Sequence, residues 1–186
     1  MPRRFQSVFE CLMYEYAKLI ADRAIEDRDS ILAAGREGKG YWAFVTRTHR
    51  KLISGEIQSS SILRENKLFM EQGWQCAYCE SPNSLHWEHI IPRSRGGPDM
   101  IDNLVLACSR CNLEKAARNP IEWYTDRKLH RKHIPRLVMG KLLKIVMAEH
   151  ERRMTLESTT FPHGMELALA GICLVFEVPE NTEPAI

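Results

Sequence analysis

The chain has 186 residues, of which 44% are hydrophobic and 27% are charged. This composition excludes a disordered or fibrous chain, and the length allows one compact domain or a small module with helical extensions. The formal net charge of +2, from 26 basic and 24 acidic residues, argues at first sight against a nucleic-acid partner.

The first 73 residues are predicted to form a helical N-terminal extension. Apolar residues at helical spacing predict a helix over 5–34, which a group of glycines ends. The segment Tyr41–Ile53 alternates apolar and basic residues and is compatible with a strand or a helix. A second helix is predicted over 62–72, and Gly73 stands at its C-terminal cap position.

The pattern changes at residue 74, and residues 74–120 are predicted to form the functional core. Short apolar runs flank a loop rich in Pro, Gly, Arg and Ser, and a helix candidate over 109–118 is closed by Asn119-Pro120. The remaining segment, 121–186, is predicted to pack on this core. It contains a basic helix from about Leu137 to Arg152 and an apolar run, Met165–Val178, that predicts a strand.

Neither a membrane span nor a signal peptide is predicted. The most apolar run, 167–176, has ten residues, whereas a spanning helix needs about 20. The N-terminal segment reaches Glu10 and Glu15 without the apolar stretch of a signal peptide. We therefore expect no membrane partner and a cytoplasmic protein whose thiols stay reduced.

Four of the six cysteines form two Cys-x-x-Cys pairs, which predict a metal site. Cys76 pairs with Cys79 and Cys108 with Cys111, and 28 residues separate the pairs. Four thiolates suit tetrahedral zinc, and such a site is structural because it leaves no open position for water. The alternatives are four reduced cysteines in a core, an iron–sulfur cluster, and a redox-active pair.

The sequence between the two pairs contains residues suited to phosphodiester chemistry. Glu88 and His89 place a carboxylate beside an imidazole, and Asn112 follows the last cysteine near a predicted helix start. Arg93 and Arg95 precede two glycines and form a cationic loop able to approach phosphate. These residues predict metal-assisted hydrolysis, in which His89 activates water while Glu88 and Asn112 hold a divalent cation.

Over residues 74–118, this pattern resembles the HNH endonuclease family in its four-cysteine, zinc-bearing form. The matching positions are Cys76, Cys79, His89, Ile90, Pro92, Ser94, Gly96, Gly97, Asn103, Leu104, Cys108, Cys111, Asn112 and Lys115. The resemblance implies an α+β protein with a ββα-metal (His-Me finger) core, a zinc knuckle, and helices flanking the core on both sides. Two short strands are expected near 87–91 and 104–107, followed by the helix that carries Asn112.

The resemblance also implies a role for each site residue. His89 takes the general-base position, Glu88 and Asn112 take the positions that bind magnesium or manganese, and Asn103 takes the position that holds the loop and orients the histidine. The implied enzyme is a metal-dependent endonuclease that hydrolyses DNA and leaves a 5′-phosphate and a 3′-hydroxyl. The family most often has Asp at the position of Glu88. Asn112 stands where the motif has its last His, and Asn is a common variant there.

Simpler interpretations stay open for several of these residues. Asn112 is also suited to cap a helix, and Arg93 and Arg95 are also compatible with ordinary solvated charges. For the whole motif, the alternative is a non-catalytic, zinc-stabilised module that binds nucleic acid.

The distribution of charge along the chain favours a nucleic-acid partner, although the net charge does not. Residues 110–153 carry 12 basic and 5 acidic side chains, whereas residues 154–186 carry 5 acidic and no Lys or Arg. The basic run 127–144 is therefore predicted to follow the backbone of DNA, or alternatively RNA, and an ordinary solvated face is the other interpretation of such a run. Further contacts are predicted from Arg93, Arg95, Lys115 and Arg118. A homodimer that cuts both strands is also compatible with the sequence.

Overall fold

The computed structural model describes residues 5–26, 38–57, 73–160 and 167–178. The helices are α1 (Val8–Glu26), α2 (Lys39–Ile53), α3 (Ser109–Lys115), α4 (Pro120–Asp126), α5 (Arg136–Arg152) and α6 (Leu169–Ile172). The strands are β1 (Leu85–His89) and β2 (Leu104–Cys108), and 3-10 turns lie at Arg93–Arg95, Ile101–Asn103, Arg131–His133 and Cys173–Glu177. Across these ranges, no helix has both the length and the apolar character needed to span a membrane.

The strands β1 and β2 form an antiparallel sheet, in which Leu85 pairs with Cys108 and His89 with Leu104. The chain passes from β2 directly into α3, which gives the ββα order and confirms the α+β fold class. The first strand ends two residues earlier than predicted. Its ladder stops because the backbone N–H and C=O of Ile91 bond to the side chain of Asn103 rather than to a neighbouring strand.

Three longer helices build most of the hydrophobic core, with α1 packed against both α2 and α5. The segment that the sequence left open between strand and helix is α2. Its buried side chains recur at spacings of three and four residues, as one face of a helix requires. His49 on that face places Nε2 3.2 Å from the carbonyl oxygen of Glu10 in α1.

The prediction of a C-terminal strand is wrong over the described residues 167–178. This segment forms α6 and a 3-10 turn, and it packs against α1 and α5. Its Ile and Val residues favour a strand, but tertiary packing overrides that preference because Ile172 and Val175 are buried in helical geometry. The start of the predicted strand lies outside the described residues.

Two predicted helix boundaries also differ from the structure. The helix predicted over 109–118 ends at Lys115, and Asn119-Pro120 starts α4. Asn119 accepts a hydrogen bond from the backbone N–H of Glu122, whose carboxylate accepts one from the N–H of Asn119, so the two residues form a capping box. The helix predicted over 62–72 and the end of the first predicted helix lie outside the described residues.

The helix α5 is anchored to the turn that precedes β2 and to the first residue of that strand. The buried ammonium group of Lys141 donates hydrogen bonds to the carbonyl oxygens of Ile101 (2.9 Å) and Leu104 (2.7 Å). Lys144 forms an ion pair with Asp102 at 3.0 Å. These lysines therefore fix the position of the ββα unit on the helical core.

Candidate active site and metal centre

The four cysteines of the two pairs converge on one point. Their Sγ atoms all lie within 4.8 Å of one another, and those of Cys79 and Cys108 are 3.6 Å apart. Zinc with tetrahedral bonds of about 2.3 Å separates its sulfur ligands by roughly 3.8 Å, so the spacing fits a single ion. An iron–sulfur cluster would have to place several iron and sulfide ions between the same four sulfurs, for which this spacing leaves no room.

Local backbone structure holds each cysteine pair in place. The first pair lies in a turn that is tied to β2 by a hydrogen bond from Ala77 N–H to the carbonyl of Leu106 at 2.7 Å. Cys108 is the N-cap of α3 and accepts a hydrogen bond from the N–H of Cys111. Burial raises the pKa of Cys108, but hydrogen bonds from that amide and from neighbouring thiols outweigh it and lower the pKa to about 7. Burial raises the pKa of Cys79 and Cys111.

His89, the predicted general base, is the last residue of β1, and its side chain is 25% exposed. Its Nε2 lies 3.0 Å from Oδ1 of Asp99. The hydrogen bond to His89 lowers the pKa of the Asp99 carboxyl, and so does the positive charge of Arg93. The Nη1 atom of Arg93 lies 3.2 Å from Oδ2 of Asp99. Because an ionised carboxylate only accepts hydrogen bonds, Nε2 carries the proton, which leaves Nδ1 as the basic nitrogen.

Asn103 is fully buried and fastens the loop between the strands. Its Oδ1 accepts from Ile91 N–H, and its Nδ2 donates to the carbonyl oxygens of Ile91 and Pro98, all at 2.8 Å. Gly97 lies against this clamp, where a Cβ would overlap the Ile91 carbonyl oxygen. Because Pro98 precedes Asp99, the clamp also positions the carboxylate that contacts His89. This geometry fits the loop-holding role that the resemblance implies for Asn103.

Glu88 points into the protein and lies in a buried cluster with Lys115 and Tyr78. Its Oε1 accepts from Lys115 Nζ at 2.5 Å, and its Oε2 accepts from the hydroxyl of Tyr78 at 2.9 Å. Lys115 Nζ also donates to the backbone carbonyl of His89 at 2.9 Å. Burial lowers the pKa of Lys115, and the negative charge of Glu88 opposes this shift. Burial and the same carboxylate both raise the pKa of Tyr78.

The predicted cation ligand Glu88 is engaged by protein partners in this arrangement. Both oxygens of Glu88 accept hydrogen bonds, and the ammonium group of Lys115 neutralises its charge. Asn112 is the fourth residue of α3, so it is not the helix cap, and its neutral amide alone is a weak ligand. Within the described ranges, the four cysteines are the one group of His, Cys, Asp or Glu side chains close enough together to share a metal ion.

The four predicted nucleic-acid contacts differ greatly in exposure. Arg93 is 65% exposed, and its position fits the prediction. Arg95 is 22% exposed and forms ion pairs with Glu122 and Glu177, so it joins the loop to α4 and to the C-terminal turn. Of the remaining two, Lys115 has no exposure to solvent, whereas Arg118 is 37% exposed and already paired within the protein. Arg118 donates to the backbone oxygens of α3 and to Asp126.

The basic run 127–144 divides into an exposed and a buried part. Most of segment 127–133 is exposed, including Lys128, Lys132 and His133, whereas Lys141 and Lys144 of α5 bond to the turn before β2. The exposed part therefore presents the positive charge of this region to solvent.

Sequence reasoning missed two contacts at the centre of the site. Lys115 stands four residues after Cys111 on α3, a spacing that puts both on one helix face and indicates burial beside the cysteines. Asp99 had no comparable signal, since its approach to His89 depends on the folding of the whole loop.

Comparisons with known proteins agree with this geometry. The family model described as HNH endonuclease matches residues 76–118, a span of 43 residues. A search of the curated proteins and a search of the solved structures each gave no match. The matched span begins at the first cysteine of the knuckle, contains both strands and α3, and ends at Arg118. The chain therefore carries an HNH endonuclease domain at residues 76–118, with four cysteines placed as a zinc knuckle.

Proposed function

We propose that this protein is an endonuclease that hydrolyses phosphodiester bonds of DNA, with His89 as the general base. The observation that carries the proposal is the position of His89. It lies at the end of β1 in the domain that matches the family, partly exposed, with one ring nitrogen held by Asp99. An imidazole held in this way has a fixed tautomer and a free basic nitrogen.

In the proposed mechanism, Nδ1 of His89 accepts a proton from a water molecule as that water attacks the phosphorus atom. The bond from phosphorus to the 3′-oxygen breaks, and the departing 3′-oxygen takes a proton from solvent to give the 3′-hydroxyl and the 5′-phosphate. Asp99 orients the ring through Nε2 and stabilises the imidazolium ion that forms. Arg93 lies 3.2 Å from Asp99, and its exposed guanidinium supplies positive charge beside the attacked phosphate. Each of these contributions comes from a side chain on the loop or strand of the ββα unit.

Two metal ions are predicted for the proposed enzyme, one structural and one catalytic. Zinc in the knuckle is structural, since four sulfur ligands complete its coordination. The HNH family generally uses a divalent cation, and magnesium or manganese remains our expectation for catalysis. Bound at the scissile phosphate, such an ion stabilises negative charge on its oxygens. The roles of His89, Asp99 and Arg93 are argued from their own contacts and do not specify how that ion is held.

DNA is proposed to lie across the exposed basic segment 127–133. Lys128 and Lys132 are both exposed, and the backbone of this segment is fixed by the 3-10 turn Arg131–His133. Arg127 stacks over the ring of Trp123, with 5.2 Å from its guanidinium carbon to the ring centroid. Trp123 itself is buried in the core and is therefore not available to stack on a base.

The second candidate is the module that binds nucleic acid without cutting it. Incubation of the purified protein with supercoiled plasmid and with single-stranded RNA, in magnesium, in manganese and in EDTA, separates the two functions. The proposed nuclease converts plasmid to nicked or linear forms in at least one metal, and its His89→Ala variant does not. Equal nicking by both proteins, or binding without cleavage in every condition, would favour the second candidate. Cleavage of RNA alone would correct the substrate.

A further inference from the structure

The two faces of the β1–β2 sheet have different surroundings. On the inner face, Val105 and Ala107 of β2 are fully buried in the hydrophobic core. Successive residues of a strand point to opposite faces, and register partners share a face. Trp87 and His89 of β1 therefore lie on the outer face, where Leu106 is the register partner of Trp87. The proposed general base thus shares its face of the sheet with an indole ring.

Trp87 presents a large apolar surface to solvent beside the proposed active site. It is 48% exposed, whereas its register partner Leu106 is 4% exposed. An indole directly opposite a leucine helps to cover it, so part of the ring serves the fold. The other part stays in contact with water, and a ligand that covers this apolar surface gains binding free energy.

The spacing along β1 relates this surface to the attacked phosphate. Two residues of a strand span about 6.8 Å, which is the distance expected between the backbones of Trp87 and His89. The exposed guanidinium of Arg93 lies on the other side of His89, beside Asp99. A phosphate bound between His89 and Arg93 therefore brings the nucleoside attached to it within reach of the indole.

We propose that Trp87 is a substrate contact, which packs against the nucleoside adjoining the scissile phosphate and contributes to DNA affinity without using charge. The occupant follows from the neighbouring groups. Arg93 and His89 suit a phosphate, and the part of DNA that offers an apolar surface next to a phosphate is the nucleoside. The position of this contact beside the cleaved bond rests on the proposed role of His89.

The affinity of Trp87→Ala for a labelled DNA duplex, measured by fluorescence anisotropy at several salt concentrations without added magnesium or manganese, tests the contact. The variant is expected to bind at least about fivefold more weakly, as loss of an aromatic contact to a nucleotide implies. The slope of log K against log salt should stay at its native value, because an indole neutralises no phosphate. Trp42→Ala is the matched control, since Trp42 of α2 is 46% exposed, and it should bind as the native protein does.

Two results of this measurement would overturn the inference. One is an unchanged affinity of the Trp87→Ala protein, with Tm and zinc content showing that it is folded. The other is a loss of affinity together with a reduced salt slope, because the substitution would then have displaced charged groups rather than removed an apolar contact.

Shielding of tryptophan fluorescence from acrylamide provides a second measurement, which does not require the alanine variant to fold. Acrylamide is neutral, so the charge of DNA does not repel it. The duplex is expected to reduce quenching in the native protein and in Trp42→Phe. Trp87→Phe keeps an aromatic ring opposite Leu106 but removes the shielded indole, so DNA should have much less effect on its quenching. Equal shielding in Trp87→Phe and in the native protein would overturn the inference.

Kinetics of plasmid cleavage, measured well below the Tm of each protein, test the place of the contact in the reaction. Loss of a substrate contact raises KM, so Trp87→Ala is expected to raise KM by at least about fivefold with kcat nearly unchanged. A fall in kcat with KM unchanged would overturn the contact, because the substitution would then have acted through His89. If the native protein binds the duplex but cleaves nothing, the proposed function fails, while the anisotropy and quenching measurements still decide whether Trp87 contacts DNA.

Discussion

The side chain of Asn103 hydrogen-bonds both backbone groups of Ile91, with its Oδ1 accepting from the N–H and its Nδ2 donating to the carbonyl, each at 2.8 Å. The backbone of Ile91 therefore bonds to a side chain, whereas in a longer strand it would bond to the backbone of a neighbouring strand. This contact ends β1 and starts the loop that returns through Pro98 and Asp99 to the ring of His89. The geometry of the proposed active site depends on this single amide.

Asn103→Ala is expected to destabilise the protein by about 2–4 kcal/mol, because it leaves buried backbone groups of Ile91 and Pro98 without hydrogen-bond partners. Urea unfolding at equilibrium measures this loss. Asn83→Ala, at an exposed asparagine in a turn, is the matched control and should change stability by less than about 0.5 kcal/mol. Equal stability of the two variants would show that Asn103 does not clamp the loop.

Elemental analysis of the protein purified after growth with ample zinc is expected to give one zinc ion per chain. Cys111→Ser removes one sulfur ligand and should lower both zinc content and Tm, because metal binding contributes to folding of the knuckle. Cys11→Ala changes a buried cysteine of α1 and should keep one zinc ion. Full zinc content in the Cys111 variant would contradict the site.

Stability is expected to fall as the pH drops below about 6.5, through the buried His150. Burial lowers its pKa in the folded state, and its Nε2 lies 3.0 Å from the carbonyl oxygen of Ile172. As the pH falls, His150 therefore takes up a proton in the unfolded chain before it does so in the folded protein. The contribution of neutral His150 to the free energy of unfolding is complete above the pKa that this residue has in the unfolded chain, and it is lost below that pKa. The slope reaches at most about 1.4 kcal/mol per pH unit for one proton.

Tm measured between pH 7.5 and 5.5 for the native protein and for His150→Gln isolates this residue. We expect a steeper fall for the native protein than for the variant, whatever their difference at pH 7.5. Parallel curves would mean that His150 titrates alike in the folded and unfolded states.

The basic segment 127–133 is expected to contribute electrostatically to DNA binding. Replacement of Lys128 and Lys132 by Ala should weaken binding and reduce the slope of log K against log salt by up to about 0.9 for each lost phosphate contact. Fluorescence anisotropy with a labelled duplex at several salt concentrations measures both changes. Lys39→Ala removes an exposed lysine at the start of α2 and should leave the slope unchanged. If replacement of Lys128 and Lys132 leaves the salt dependence of binding at its native value, DNA does not lie on this segment.

The ββα unit was predictable from the resemblance to the HNH endonuclease family, and the knuckle from its paired cysteines, because both signals are local. Paired cysteines at fixed spacing predict a shared ligand site, and both strands and α3 formed within two or three residues of the predicted bounds. The helix Arg136–Arg152 was likewise predicted within one residue, since its apolar periodicity extends over several turns.

The remaining features depend on contacts between distant parts of the chain. Ile172 and Val175 predict a strand from their own preference, yet they fill the helical core that only the folded protein creates. Arg95 and Lys115 have the composition of phosphate ligands, but Glu122, Glu177 and Glu88 neutralise them after folding. A basic residue in a motif is therefore not necessarily exposed in the folded protein.

The central claim is that His89 catalyses hydrolysis of DNA, and the most direct measurement is the cleavage rate of supercoiled plasmid by native protein and by His89→Ala in the same magnesium and manganese buffers. Zinc content and Tm are measured on both proteins to confirm that each is folded. The account predicts nicked or linear product from the native protein and a rate at least about 100-fold lower from the variant, as loss of a general base implies. Equal rates from two folded proteins would contradict it.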